Sequence, residues 1–198
     1  MGRPQQVDDA HVFVAARAVL VDSARLTTAL VAQRAGVSEA LLFKRYGSKA
    51  GLLRAVMEDA LTSMLASIEH AGRTPLDEAG LARLAMNVLA HIRLFVPMAL
   101  THMKEPLASP QLEGDDPPPM RALRALTSTI ATQMESGALR ESDPTTVARV
   151  IIGGIWQYAF EDALMRLRGR KSKVSARALT TRLASFLWTA LAPVGDPS

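Results

Sequence analysis

Along almost the whole chain, apolar residues return every three or four positions, and nowhere do they alternate with polar ones. A period near 3.6 lines one side of a helix, whereas a half-buried strand needs a period of two, so an all-α fold is expected. Val12, Ala16, Val19 and Leu20 mark one face of a first helix. Leu52, Leu53, Val56, Ala60, Leu61, Met64, Leu65 and Ile68 mark a longer fourth, with two short helices between them. Gly72-Arg73-Thr74-Pro75 breaks the pattern, because glycine and proline both interrupt helical hydrogen bonding. A long helix follows through Leu81, Leu84, Val88, Ile92 and Phe95 until Pro97, which is expected to end or kink it. Residues 105–119 hold five prolines and two adjacent aspartates, which predicts a mobile loop. Met120 to Glu135 reads as helix stopped at Gly137, and Asp143-Pro144 as the start of another, with Asp as N-cap and Pro at the first helical position. Val147, Val150, Ile151, Ile155, Tyr158 and Met165 line one side of that helix. The last helix carries Leu179, Leu183, Phe186, Leu187 and Leu191 and stops at Pro193.

With 198 residues, 48% of them hydrophobic, the chain is long enough to bury a sizeable core in one or two units. Charged residues interrupt every apolar run before it reaches the about 18 positions that a membrane helix requires, so no membrane partner is expected. There is no cysteine for disulfides or thiolate metal sites, and the first residues lack the basic-then-apolar pattern of a secretory leader. A cytoplasmic location is the expectation. The net charge of +4 suits a polyanionic partner. It is concentrated at the front: up to Ala50, Arg3, Arg17, Arg25, Arg34, Lys44, Arg45 and Lys49 face only Asp8, Asp9, Asp22 and Glu39.

The segment Leu26 to Tyr46 has the parts of a helix-turn-helix in order. Thr27 or Thr28 can cap the second helix, Val31 and Ala32 face inward, and Ala35 is small enough for two helices to cross closely. Gly36 permits a left-handed backbone, Val37 plugs the space between the helices, and Ser38 can cap the third. That third helix points Leu42 at the core and directs Glu39, Ala40, Phe43, Lys44 and Arg45 outward. In this motif the second helix of the pair enters the major groove of double-stranded DNA, and its first residues meet base edges. Ser48 then caps the fourth helix, and Lys49 in its first turn can join free backbone N–H groups in holding a phosphate.

Thr27-Thr28, Val31-Ala32, Ala35-Gly36-Val37-Ser38, Leu42-Phe43, Tyr46 and Ser48-Lys49 followed by Leu52-Leu53 resemble, without a gap, the DNA-binding domain of the tetracycline-repressor (TetR) family. The likeness is strong from about Val12 to Met64 and only architectural beyond. It implies phosphate contacts from Thr28, Lys44, Arg45 and Lys49, and places Ser38, Glu39, Ala40 and Lys44 nearest to bases. Phe43 stands where the family usually has Tyr; it keeps a ring for sugar or a thymine methyl but loses the hydroxyl. Arg25 and Tyr46 also depart from the usual Gly and Phe. The division expected is a DNA-binding domain at 1–50, a connecting helix at 48–70, and a ligand-binding and dimerisation domain at 71–198.

The resemblance implies a homodimer built on the last two long helices and a small-molecule effector. Independently, those helices are too apolar to face water on their outer sides, and Gly153-Gly154 in mid-helix suits close helix approach. An ordinary internal core with a packed glycine pair is the other reading of the same residues. Met86, His91, Met98, Trp156 and Phe160 are the candidate effector-binding residues, since flexible thioethers and aromatics suit a pliable apolar cavity. No His/Cys/Asp/Glu cluster has ligand spacing, so no metal or other cofactor is expected. No catalytic signature is present, and adjacent Glu161-Asp162 point to different helical faces. The expected function is a repressor released from a palindromic operator by a small apolar molecule. The alternatives are a ligand-independent helix-turn-helix protein and a helical enzyme.

Overall fold

The computed structural model of the chain describes residues 8–23, 26–102 and 116–193, with the side chains of all of these except Ser23 and residues 97–102. Those residues form helices α1 (Asp9–Ser23), α2 (Thr28–Ala35), α3 (Glu39–Tyr46), α4 (Lys49–Ala71), α5 (Glu78–His102), α6 (Pro118–Glu135), α7 (Pro144–Leu167) and α8 (Ala176–Leu191), and no strand is among them.

Local chemistry sets most of these boundaries. The side chains of Thr27, Ser38, Ser48, Asp143 and Ser175 each accept a hydrogen bond from the backbone N–H three residues on, filling one donor that the first turn leaves unpaired. At the end of α2, Gly36 takes the left-handed conformation, φ 65°, and the Val37 N–H reaches back to the Ala32 carbonyl at 3.0 Å. A side chain at Gly36 would be strained there.

Two hydrophobic cores result. The smaller holds Val12, Ala16, Val19, Leu20, Val31, Leu42, Leu52 and Val56 among its residues; the larger gathers Leu61, Met64 and Ile68 with apolar residues of α5 to α8. Helix α4 runs through both, so the change of core falls between Val56 and Leu61. The turn at Gly72–Pro75 is no free linker either. The buried Gln133 side chain accepts from the Leu76 N–H at 2.7 Å and donates to the Gly72 carbonyl at 3.0 Å, while Thr129 donates to the Ile68 carbonyl.

Three features differ from expectation. Helix α5 does not end at Pro97 but runs on to His102, since a proline within a helix removes only one of its hydrogen bonds. Its segment Glu78–Val96 is, by length and composition, apolar enough to cross a bilayer, but half of it is buried inside the bundle as core. Helix α6 starts at Pro118 rather than Met120, because a proline at the first helical position lacks only an N–H that would have had no partner. Most of the expected proline-rich loop lies outside the described residues.

Candidate nucleic-acid interface

Helix α3 buries Leu42 (1% exposed) against the smaller core. With that anchor fixed, Ser38, Glu39, Ala40, Phe43, Lys44 and Arg45 are all exposed, and Phe43 keeps 44% of its surface open to solvent. Lys49 is exposed in the first turn of α4, immediately after the Ser48 cap. Seven of the eight residues predicted to meet DNA therefore share the outside of this unit, along α3 and the start of α4.

Thr28 is the exception. It is 8% exposed, and its hydroxyl donates a short hydrogen bond to the Glu39 carboxylate. In this structure the Thr28 hydroxyl serves the joint between α2 and α3. It also fixes Glu39, whose other carboxylate oxygen stays at the exposed start of α3.

The cations sort themselves. Arg17 pairs with Asp59 of α4, and Arg34 pairs with Asp22 at 2.7 Å. Arg45 grips Asp9 at the start of α1 with both arms of its guanidinium, at 3.1 and 2.6 Å, and the Tyr46 hydroxyl donates to the same carboxylate at 2.6 Å. The hydrogen bonds from Arg45 and then Tyr46 hold the Asp9 carboxyl below its usual range, and the Arg45 guanidinium is raised by the same partner. The Tyr46 hydroxyl is pushed up, first by burial and then by its bond to Asp9. Arg45, predicted to touch DNA, is in this state a clamp between α1 and α3. Among the described residues up to Ala50, Lys44 and Lys49 are the basic side chains without an ion pair.

One further residue sets the geometry here. A side chain at Gly51 would collide with the backbone carbonyl of Tyr46, so the close approach of α4 to the end of α3 needs a glycine. In the sequence Gly51 shows only as a helix-weakening residue.

The candidate effector residues are not gathered into one cavity among the described residues. Met86 lines an open groove of about 720 Å³ between α5 and α8, with Ala79, Ala82, Ala184 and Trp188 as apolar wall and Asp77, Glu78, Arg83 and Arg177 as charged rim. His91 is half-buried on α5, and its Nδ1 donates to the Asn87 carbonyl at 2.7 Å. Burial lowers its pKa, with nearby Arg17 adding to the effect. Phe160 packs against the larger core, whereas Trp156 is 38% exposed on the outside of α7. The Met98 side chain lies outside the described residues.

The outer side of α7 and α8 exposes apolar groups among polar ones such as Gln157, Arg182 and Ser185. Val150 is 41% and Phe186 68% exposed, and a side chain at Gly153 would meet nothing. A side chain at Gly154 would instead meet Leu183 of α8 at an ordinary contact distance, and Ile155 is fully buried. Of the α7 residues expected on one side, Val147, Ile151, Ile155 and Tyr158 are core, and Val150 faces out.

Residues 14–56 match the sequence model described as bacterial regulatory proteins, tetR family. A comparison of the sequence with curated proteins gives no match. Among solved structures, the fold is similar to that of a TetR transcriptional regulator from Streptomyces coelicolor, with 16% identity, TM-score 0.70, and 95% of this chain and 100% of that one covered. It is also similar to a TetR-family regulator from Mesorhizobium loti, with 15% identity, TM-score 0.60, and 93% and 96% covered. Bacillus subtilis FadR in complex with stearoyl-CoA is a third, with 17% identity, TM-score 0.56, and 91% and 97% covered. At these identities the likeness establishes the fold.

Proposed function

We propose that this chain, whose residues 14–56 carry the DNA-binding domain of the tetR family of bacterial regulatory proteins, is a ligand-responsive transcriptional repressor that binds a palindromic operator as a homodimer. The observation that carries the reading is the state of its charges. The arginines described in the reader are tied within the fold, and Lys44 and Lys49 are left beside the exposed face of α3. A cationic face with a capped helix standing out from it fits a major groove flanked by phosphates.

In this reading Ser38, Glu39, Ala40 and Lys44 meet base edges, Phe43 packs on sugar or a thymine methyl, and Lys49 holds phosphate with the first amides of α4. Arg45 reaches the backbone only by sharing or leaving Asp9. The working unit for DNA binding is residues 1–50, with α4 as its connection to the remainder. A second copy of the chain covers Val150, Gly153, Trp156 and Phe186, which supplies the partner that those exposed apolar groups lack inside one protomer. The effector is an apolar molecule with a polar end, held along the α5–α8 groove at Met86 and Trp188; FadR, of the same fold, was captured with a ligand of that kind. Because α4 belongs to both cores, a ligand that shifts its far end at Met64 and Ile68 changes the separation of the two readers.

Selection of bound duplexes from random DNA tests the reading. The expected product is a palindrome whose half-site centres lie about one turn apart, roughly 34–36 Å. Failure to enrich any sequence would refute it.

A further inference from the structure

Asp162 on α7 is the buried acidic side chain among the described residues, at 6% exposure. Its Oδ2 accepts from Arg166 Nε, one turn further along α7, at 3.1 Å, and lies 3.1 Å from Arg93 Nη2 on α5. Arg93 also donates to the Tyr158 hydroxyl at 3.3 Å, and Tyr158 in turn donates to the Val174 carbonyl at 2.9 Å. This network belongs to the larger core, yet one arm leaves it. Arg166 Nη1 donates to the carbonyl of Val21, in the last turn of α1, at 3.2 Å.

That contact answers a need of α1. Carbonyls at a helix C-terminus carry partial negative charge and favour a cation. Helix α1 has no basic residue of its own in its last turn. The cation comes from a residue 145 positions away, and Leu20 and Val21 lie in the same small cleft as Arg93, Asp162 and Arg166. The opposite end of α1 is clamped to α3 by the Asp9–Arg45 pair. Helix α1 therefore joins the recognition helix at one end to the bundle at the other, beside the covalent connection through α4. Helix α1 also packs against α5 and α7 there, and the directional bond from Arg166 fixes where its end sits on that seam.

We propose that Asp162 and Arg166 are positioning residues for DNA reading: Asp162 orients the Arg166 guanidinium, Arg166 holds the end of α1, and together they set the angle of α3 relative to the bundle. A planar guanidinium suits this role, because one rigid group must direct two N–H bonds at fixed acceptors on different helices. The proposal rests on the DNA-binding reading above.

The test uses the full chain and duplexes recovered by selection from random DNA with the parent protein. Each duplex is also prepared with one base pair added to or removed from its centre, and as a single half-site. Arg166→Gln should keep the thermal melt, the dimer and half-site affinity of the parent, while its preference for the selected spacing over the altered ones falls about tenfold, the scale of one lost charge-assisted hydrogen bond. Asp162→Asn should act in the same direction. If it does not fold, Arg166→Gln carries the test, since that side chain is already 35% exposed. A folded variant with the parent's spacing preference overturns the proposal. So does one that loses half-site affinity in step with spacing, because the residues would then serve the reader's own folding. If the parent itself enriches no duplex, the DNA-binding reading has failed first and the proposal falls with it.

Discussion

The two cores of this protein differ most in what they leave outside. The unit around the smaller core presents a capped helix with unpaired lysines, and leaves Val14, Leu30 and Phe43 exposed as well. The larger one leaves Val150, Trp156 and Phe186 in solvent along α7 and α8. A surface of the first kind attracts a polyanion and keeps its own neighbours off; one of the second kind is unfavourable until another apolar surface covers it. Helix α4 runs through both, and α1 of the first unit packs on α5 and α7 of the second.

The largest expected effect comes from breaking that contrast. Phe186→Glu places a charge on that outer face, where covering it against a second copy would leave it desolvated and unpaired. The dimer dissociation constant should rise about a hundredfold or more, equivalent to about 3 kcal/mol. Light scattering should then show the 21.3 kDa monomer with its helix content intact. An unchanged dimer would move the interface elsewhere. The same glutamate at Ile155 would test core packing instead, because Ile155 is buried within the protomer.

Gly51→Ala acts on the other unit. Its new methyl meets the Tyr46 carbonyl, and backbone must move to admit it, at a cost of about 1–3 kcal/mol. DNA affinity should fall while dimerisation is untouched, since the displaced elements are α3 and the start of α4. A variant with parental stability and affinity would show that the close approach is dispensable.

The smallest effect concerns the joint where α1 meets α5. Burial of His91 disfavours its cation, so the folded protein takes up that proton less readily than the unfolded chain. The stability His91 contributes is complete above its ordinary value of 6.5 and is lost as pH falls below it. Thermal melts between pH 7.5 and 5 should show that decline in the parent and a shallower one in His91→Gln. Parallel curves would remove His91 as its source.

How much of this was legible in the sequence follows from distance along the chain. Thr27, Ser38, Ser48 and Asp143 act on amides three residues away, so the boundaries of α2, α3, α4 and α7 could be read directly. The outward set on α3 followed from one anchor, Leu42, and the helical period. Thr28 and Arg45 were harder because their partners, Glu39 and Asp9, lie 11 and 36 residues off. Periodicity also grouped Val150 with Ile155, since an apolar residue facing a second chain follows the same period as one facing the core. Trp156 suits an apolar cavity by its aromatic chemistry alone, which does not say which side of α7 it occupies, and it stands on the outside. The ties made by Gln133 and Asp162 left only a weak trace, a polar residue on an apolar helical face.

The central claim is that α3 reads bases while the start of α4 holds the backbone. Repeating the DNA selection with Glu39→Ala, Lys44→Ala and Lys49→Ala tests it most directly. The first two should change the recovered bases symmetrically in both half-sites and leave their spacing alone. Lys49→Ala should return the parental sequence with weaker binding and a salt slope reduced by about 1. Identical sequences from all three variants, or a new base preference from Lys49→Ala alone, would contradict the account.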